Sequence, residues 1–319
     1  MPVITNLGSN IYQIDVCDQE PERTSCYLIL ADKIALIETG PSPGTVHIKD
    51  ALEDLGIPPE KVFYIIVTHI HLDHSGGAGV MARDLPQARV YVHPRGARHL
   101  IDPTRLAAGA RAIYGERFDK LFGAILPVPG ERICTPADGE TLDLGGGRTL
   151  TFYHTAGHAR HHFIIHDPTS RGVFSGDALG VRFQALSRLA GSDFTLLSTP
   201  PPEFDPAAAM ETLKRAAGLD LDYIYFTHYG KAGGVNTILA RLKDQVNVFE
   251  AAGRRVLASG GGAREIEKEL WDMAMDQVAV YGLKDREHPA VKFMGNDISL
   301  NAAGINHYLG KVMSITNNR

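Results

Sequence analysis

The chain has 319 residues, 44% of them hydrophobic and 22% charged, which is enough apolar material for a sizeable core in one large domain or one domain with an appendage. A formal net charge of −5 argues against a nucleic-acid partner, because polyphosphate affinity needs concentrated Lys and Arg. No apolar run approaches the roughly 20 residues of a membrane span, and the N-terminus lacks a basic region followed by an apolar stretch; both predict a cytoplasmic protein that stays off membranes.

The first forty residues hold the β-type runs IYQIDV, SCYLIL and KIALIE, separated by polar or Gly-rich breaks, the pattern of an antiparallel meander. TVHIKDALEDLG follows with apolar residues at helical spacing and Gly56 as its stop, then the buried-strand run VFYIIVTHI. A helix (AGVMARDL), a strand (ARVYVHP) and an insertion of helical character to about residue 123 come next. Within that insertion Arg95, Arg98, Arg105, Arg111 and Arg117 alternate with apolar residues, which predicts a solvated helix face. The second half repeats the style with the strand-like TLTFYHTAG, HFIIHD and GVFSGDALG, the helix PAAAMETLKRAAG and the strand LDYIYFTH. From Gly233 onward only long amphipathic runs remain, so residues 1–232 are expected to form a catalytic domain and residues 233–319 a helical C-terminal region. Amphipathic helices around Trp271 further suggest a homodimer. Cys17, Cys26 and Cys134 are widely spaced and without CxxC, so they are expected to be packed thiols.

Polar clusters follow the strand-like runs. His69 and His71 lie two apart at the end of a strand, so both imidazoles are expected to face the same side, and Asp73 and His74 follow in the turn that opens the next helix; the set combines imidazoles with a carboxylate that could serve two adjacent ions. His158 in HTAGH, Asp177 in FSGDALG and His228 in YFTHYG each come directly after a strand, the placement that a metal site spread over several strand ends requires. His154 is read as a strand-end or supporting residue, His161 and His162 as residues that could face the site but are better read as ordinary polar loop residues, and His93 as structural.

The ordered series of HxHxDH, GH, GD and TH, preceded by ETG at residues 38–40, resembles the motif set of the metallo-β-lactamase superfamily over roughly residues 10 to 230. The resemblance implies an α/β fold, an αββα sandwich here carrying a C-terminal helical appendage. It implies that His69, His71 and His158 hold one divalent metal ion, that Asp73, His74 and His228 hold a second, and that Asp177 bridges them. Zinc is the expected metal, with iron or manganese as alternatives. Glu38 stands where the family commonly has Asp, and its expected role is to orient a ligand imidazole.

Such a site would acidify a shared water and direct the resulting hydroxide at a small-molecule ester, thioester or lactone, with Asp73 also in a catalytic role. Members similar to this chain would be glyoxalase II-type and lactonase-type enzymes. Secreted lactamases with Cys at the position of Asp177, flavodiiron oxidases with Glu at the position of His71, and transfer-RNA nucleases with an RNA-gripping arm fit less well. The insertion carrying Tyr114 and the segment after Asp177 carrying Arg182 are expected to line the substrate pocket, with Arg182 either reading an anion or forming a surface salt bridge. Two alternatives remain: a phosphodiesterase of the same fold, and a non-catalytic metal-binding sensor or scaffold.

Overall fold

A computed structural model describes residues 3–317, with side chains through residue 314. Two compact units emerge from the packing. The first takes the chain up to His154, together with His161–Gly176 and Asp220–Ala232. The second takes Thr155–Arg160, Asp177–Leu219 and the chain from Gly233 onward. A single cut near residue 232 therefore does not describe the division in space, for a reason given below.

In the first unit, β1 (Val3–Asn6), β2 (Ile11–Asp15), β3 (Ser25–Ile29) and β4 (Ile34–Ile37) form the expected antiparallel meander. The sheet continues in parallel through β5 (Val62–Ile66), β6 (Arg89–Tyr91) and β7 (Ile133–Cys134). Parallel pairing needs crossovers: α1 (Thr45–Asp54) joins β4 to β5, the one-turn α2 (Leu72–Ser75) and α3 (Ala78–Asp84) join β5 to β6, and the insertion joins β6 to β7. Ile48, Ala51 and Leu52 of α1 and Met81 and Ala82 of α3 bury against Ile65, Val67 and Val90 on one face of this sheet. The insertion forms α4 (Pro94–Ile101), α5 (Thr104–Tyr114) and α6 (Phe118–Phe122), and its five arginines are all exposed.

A six-stranded sheet takes β8 (Thr141–Asp143), β9 (Thr149–Thr155), β10 (His162–Asp167), β11 (Gly172–Gly176), β14 (Tyr223–Phe226) and β15 (Gly230–Ala232). Its inner face meets the first sheet in a core of Ile29, Ile37, Ile66, Phe152, Phe163 and Ile165. Each such side chain contributes about 1.5–3 kcal/mol on leaving water. Tyr27, Phe174 and Tyr225 pack ring on ring there at 4.7 to 5.8 Å, and the Tyr27 hydroxyl donates to the Phe226 carbonyl across the sandwich. Arg148 and Asp167 form a buried ion pair at 2.5 Å, with the guanidinium also donating to the Ser9 carbonyl at 2.6 Å.

Register places strand ends side by side in each sheet. β4 runs parallel to β5 with Ile37 opposite Ile66, and β11 runs parallel to β14 with Gly176 opposite Phe226. Within each pair both strands end at the same edge, so the residues that follow them emerge side by side.

The second unit is built from β12 (Val181–Arg182) paired with β13 (Thr195–Leu196), α7 (Gln184–Ala190), α8 (Pro206–Ala217), α9 (Val235–Ala258), α10 (Ala263–Ala279), α11 (Pro289–Lys292) and α12 (Gly295–Asn317). Two buried amides tie the late helices to the stretch after β13. Gln245 of α9 donates to the Thr195 carbonyl at 3.0 Å and accepts from the Leu197 N–H at 2.7 Å. Asn301 of α12 donates to the Leu197 carbonyl and accepts from the Thr199 N–H, both at 2.7 Å. These bonds satisfy backbone groups that no sheet partner reaches, which is why the helical region packs as one body with residues 177–219. No helix among the described residues is long and apolar enough to cross a membrane.

Candidate metal centre

β5 ends at Ile66, so His69 and His71 lie in the loop beyond it rather than on the strand, and His71 is the N-cap residue of α2. Asp73 and His74 occupy the single turn of α2. The turn at Glu38 and Thr39 holds that helix from below. The Thr39 N–H and hydroxyl both donate to the His74 carbonyl, at 3.0 and 2.9 Å. Gly40 has φ +63°, and a Cβ there would press to 2.9 Å from Val16 Cγ2, so the turn requires glycine.

Glu38 is fully buried in the left-handed region at φ 62°, an uncommon conformation for a residue with a side chain. Its Oε1 accepts from His74 Nδ1 at 3.1 Å, from the Thr68 hydroxyl at 2.5 Å and from the Thr227 hydroxyl at 3.2 Å. Because the Thr68 hydroxyl gives its hydrogen to Glu38, its oxygen is an acceptor for His69 Nδ1 at 3.1 Å. One carboxylate therefore fixes two imidazoles, His74 directly and His69 through Thr68, and leaves Nε2 of each as the atom that could ligate a metal. His228 follows the same rule, its Nδ1 donating to the Arg23 carbonyl at 2.9 Å.

The ligand atoms converge. His228 Nε2 lies 3.3 Å and His74 Nε2 3.8 Å from Asp73 Oδ2, and His69 Nε2 lies 2.9 Å from His71 Nδ1. Ligands placed about 2.0–2.1 Å from a tetrahedral ion sit roughly 3.4 Å apart, so these spacings suit a metal with nitrogen and oxygen donors. Asp73, His74 and His228 form a set whose ligand atoms all lie within 4.8 Å of one another.

In the second unit His158 Nε2 lies 3.6 Å from Asp177 Oδ2. His158 Nδ1 is 3.4 Å from the Ser198 carbonyl, and the Ser198 hydroxyl is 3.5 Å from the same Asp177 oxygen. The loop that carries His158 is pinned by the Asp205 N–H donating to the Gly157 carbonyl at 3.0 Å.

Two expectations need correction. Arg182 is nearly buried, its Nε donates to Asp193 Oδ1 at 2.6 Å, and its guanidinium also donates to Gln184, so it spends its charge inside the second unit rather than on an anion. His161 and His162 are not ordinary loop residues. His162 opens β10 fully buried, stacked on His69 with ring centroids 4.8 Å apart. The His161 ring lies parallel to that of His69 within 12° at 6.1 Å and edge-on to His71 at 5.4 Å. Gly176 turns at φ +48° beside them, and a Cβ there would collide with Thr68 Oγ1 and His162 Nε2.

His93 and His154 pair with each other, ring centroids 4.3 Å apart. His93 Nδ1 accepts from the Arg95 N–H at the start of α4, and His154 Nε2 lies 2.9 Å from the Pro136 carbonyl. Burial, with His154 and Arg95 adding to it, pushes His93 down to about 4.

Tyr114 packs on Phe122 at 5.0 Å; burial and the Asp73 carboxylate push its hydroxyl up to about 12, which keeps it a hydrogen donor at neutral pH. Sequence reasoning passed over Asp18, which is buried, accepts from the Thr24 hydroxyl at 3.2 Å, and is raised by burial and then by Asp73. The β2–β3 loop that carries it has Cys17, Gln19 and Glu22 at positive φ, organised by Asp15 accepting from the Cys17 and Glu22 N–H groups. That loop walls a cavity of about 520 Å³ shared with Pro41, His47, Arg117 and Lys120.

The family model described as "Metallo-beta-lactamase superfamily" matches residues 20–228. The metallo-beta-lactamase fold-containing protein ST1585 of Sulfurisphaera tokodaii is 26% identical over 266 residues, covering 78% of this chain and 94% of that protein. Its solved structure aligns with a TM-score of 0.61 at 24% identity, covering 74% of this chain and 85% of that one. The human acyl-coenzyme A thioesterase MBLAC2 is 29% identical over 43% of this chain and 48% of its own length. The N-acyl homoserine lactonase AttM of Agrobacterium fabrum is 30% identical over 38% and 43%.

Proposed function

Because the chain belongs to the metallo-β-lactamase superfamily, we propose that it is a hydrolase that uses two divalent metal ions, zinc foremost, on a small-molecule ester, thioester or lactone. His69, His71 and His158 would hold one ion and Asp73, His74 and His228 the other, with Asp177 shared between them. When bound, the ions supply Lewis acidity and bring a water to an acidity near neutral pH, which furnishes the nucleophile.

The chain's own residues have the remaining tasks. Glu38 and Thr68 hold His74 and His69 in the tautomer that keeps Nε2 for ligation. Asp73, beyond its ligand oxygen, would take up the proton released as the nucleophile attacks. Tyr114, a hydrogen donor at neutral pH, would bind the substrate on the side of Asp73. The observation that carries the reading is the convergence of Asp73, His74 and His228 with Nδ1 of both imidazoles already committed elsewhere. The names of two relatives, a thioesterase and a lactonase, support an acyl substrate.

The test is a screen of ester, thioester, lactone and phosphodiester substrates against the metal-replete protein. Turnover of the acyl compounds is expected. Turnover confined to phosphodiesters would replace the acyl reading by a phosphodiesterase, and silence across the whole panel with metal fully bound would favour a sensor or scaffold.

A further inference from the structure

We propose that His161 is a further catalytic residue, donating a hydrogen bond from Nε2–H to the acyl oxygen of the substrate as that oxygen gains negative charge; this rests on the hydrolase reading above. The first support is the ring's orientation. Ile70, between the ligand residues His69 and His71, directs its N–H to His161 Nδ1 at 3.5 Å. Nδ1 is thereby an acceptor, and in the neutral ring the hydrogen resides on Nε2.

The second support is placement. His161 lies parallel to His69 and edge-on to His71, against the two imidazoles that the His-x-His motif contributes. His69 and His162 are fully buried, whereas His161 is half-buried, so it stands at the solvent side of this imidazole cluster.

The third support is rigidity. The next two residues are fixed: His162 is stacked on His69, and the Phe163 N–H donates to the Thr68 carbonyl at 3.0 Å. A donor fixed before the substrate arrives needs no reorganisation when charge develops, which is the condition for effective oxyanion stabilisation. His161 keeps its proton throughout; the bond made and broken in the reaction lies on the substrate.

The experiment compares the full-length protein with His161→Ala and His161→Gln, each loaded with cobalt(II). Acetate serves as the probe, its binding followed by the visible spectrum of the bound metal. Metal content is expected to be equal in all three. Acetate should bind about tenfold more weakly to His161→Ala, the loss of one hydrogen bond, and His161→Gln should recover most of that through its amide N–H. With an acyl substrate, kcat should fall about 10²-fold in His161→Ala with KM little changed.

Equal acetate affinity in wild type and His161→Ala, failure of acetate to bind either, or loss of metal from His161→Ala would each overturn the proposal. A wild type that hydrolyses nothing while the acetate difference persists would remove the hydrolase reading and leave the donor role of His161 standing.

Discussion

Two sets of buried polar side chains, one in each unit, do opposite work. In the first, Glu38, Thr68 and Thr227 meet beneath the ligand loop, and their hydrogen bonds end on imidazoles whose other nitrogens belong to the site. In the second, Gln245 and Asn301 bond the backbone of residues 195–199, and Asn301 the Thr199 hydroxyl as well, holding an irregular segment in place. Burial of a polar group is therefore not in itself a functional signal; what separates the two cases is whether the bonded partner has a second, ligand-type atom.

The comparison breaks most visibly at a ligand. His228→Ala should lose one metal ion per chain by elemental analysis and abolish hydrolysis, with the far-UV circular dichroism unchanged. Asn301→Leu should do the reverse. Leaving the Thr199 N–H and Leu197 carbonyl without their partner costs about 1–3 kcal/mol per buried group, read as a lower denaturant midpoint with metal content intact.

Glu38→Gln sharpens the contrast further, because it keeps the volume and an amide oxygen but removes the charge that orients His74 and Thr68. Metal affinity by chelator competition should drop about 10–100-fold with the fold retained. If Glu38→Gln lowers the unfolding midpoint and leaves metal affinity unchanged, Glu38 belongs with Gln245 and Asn301.

The smallest effect concerns His93, held down to about 4 chiefly by burial. The unfolded chain takes up the proton near pH 6.5 and the folded chain only near 4, so the unfolded state binds more protons between them. The stability from the neutral, buried ring is complete above pH 6.5 and is lost as pH falls toward 4. His93→Asn should flatten that slope in unfolding curves taken across the window.

In the first unit the candidate ligands could be picked out of the sequence because strands that end in register put their following residues side by side. His69, Asp73 and His228 could each be located from a strand-like run and the polar residues after it. His161 and His162 escaped because a histidine in a loop looks the same whether it faces solvent or stacks on a neighbour. The sole hint was two of them in succession immediately before a strand.

The two readings of Arg182, anion recognition and a salt bridge, stayed open for a related reason: its partner Asp193 is eleven residues away, across α7, and no local pattern announces the pair. The helices after residue 233 were legible as helices. Their union with residues 177–219 was not, since Gln245 and Asn301 read as routine polar positions on amphipathic runs until the Thr195–Thr199 backbone is placed against them.

The most direct test of the central claim is to strip the protein of metal and titrate zinc back while following hydrolysis of an acyl thioester. The account predicts no turnover in the metal-free chain and activity that rises to a plateau at two equivalents of zinc per chain. Full turnover without metal, or two equivalents bound with no hydrolysis of any acyl substrate, would contradict it.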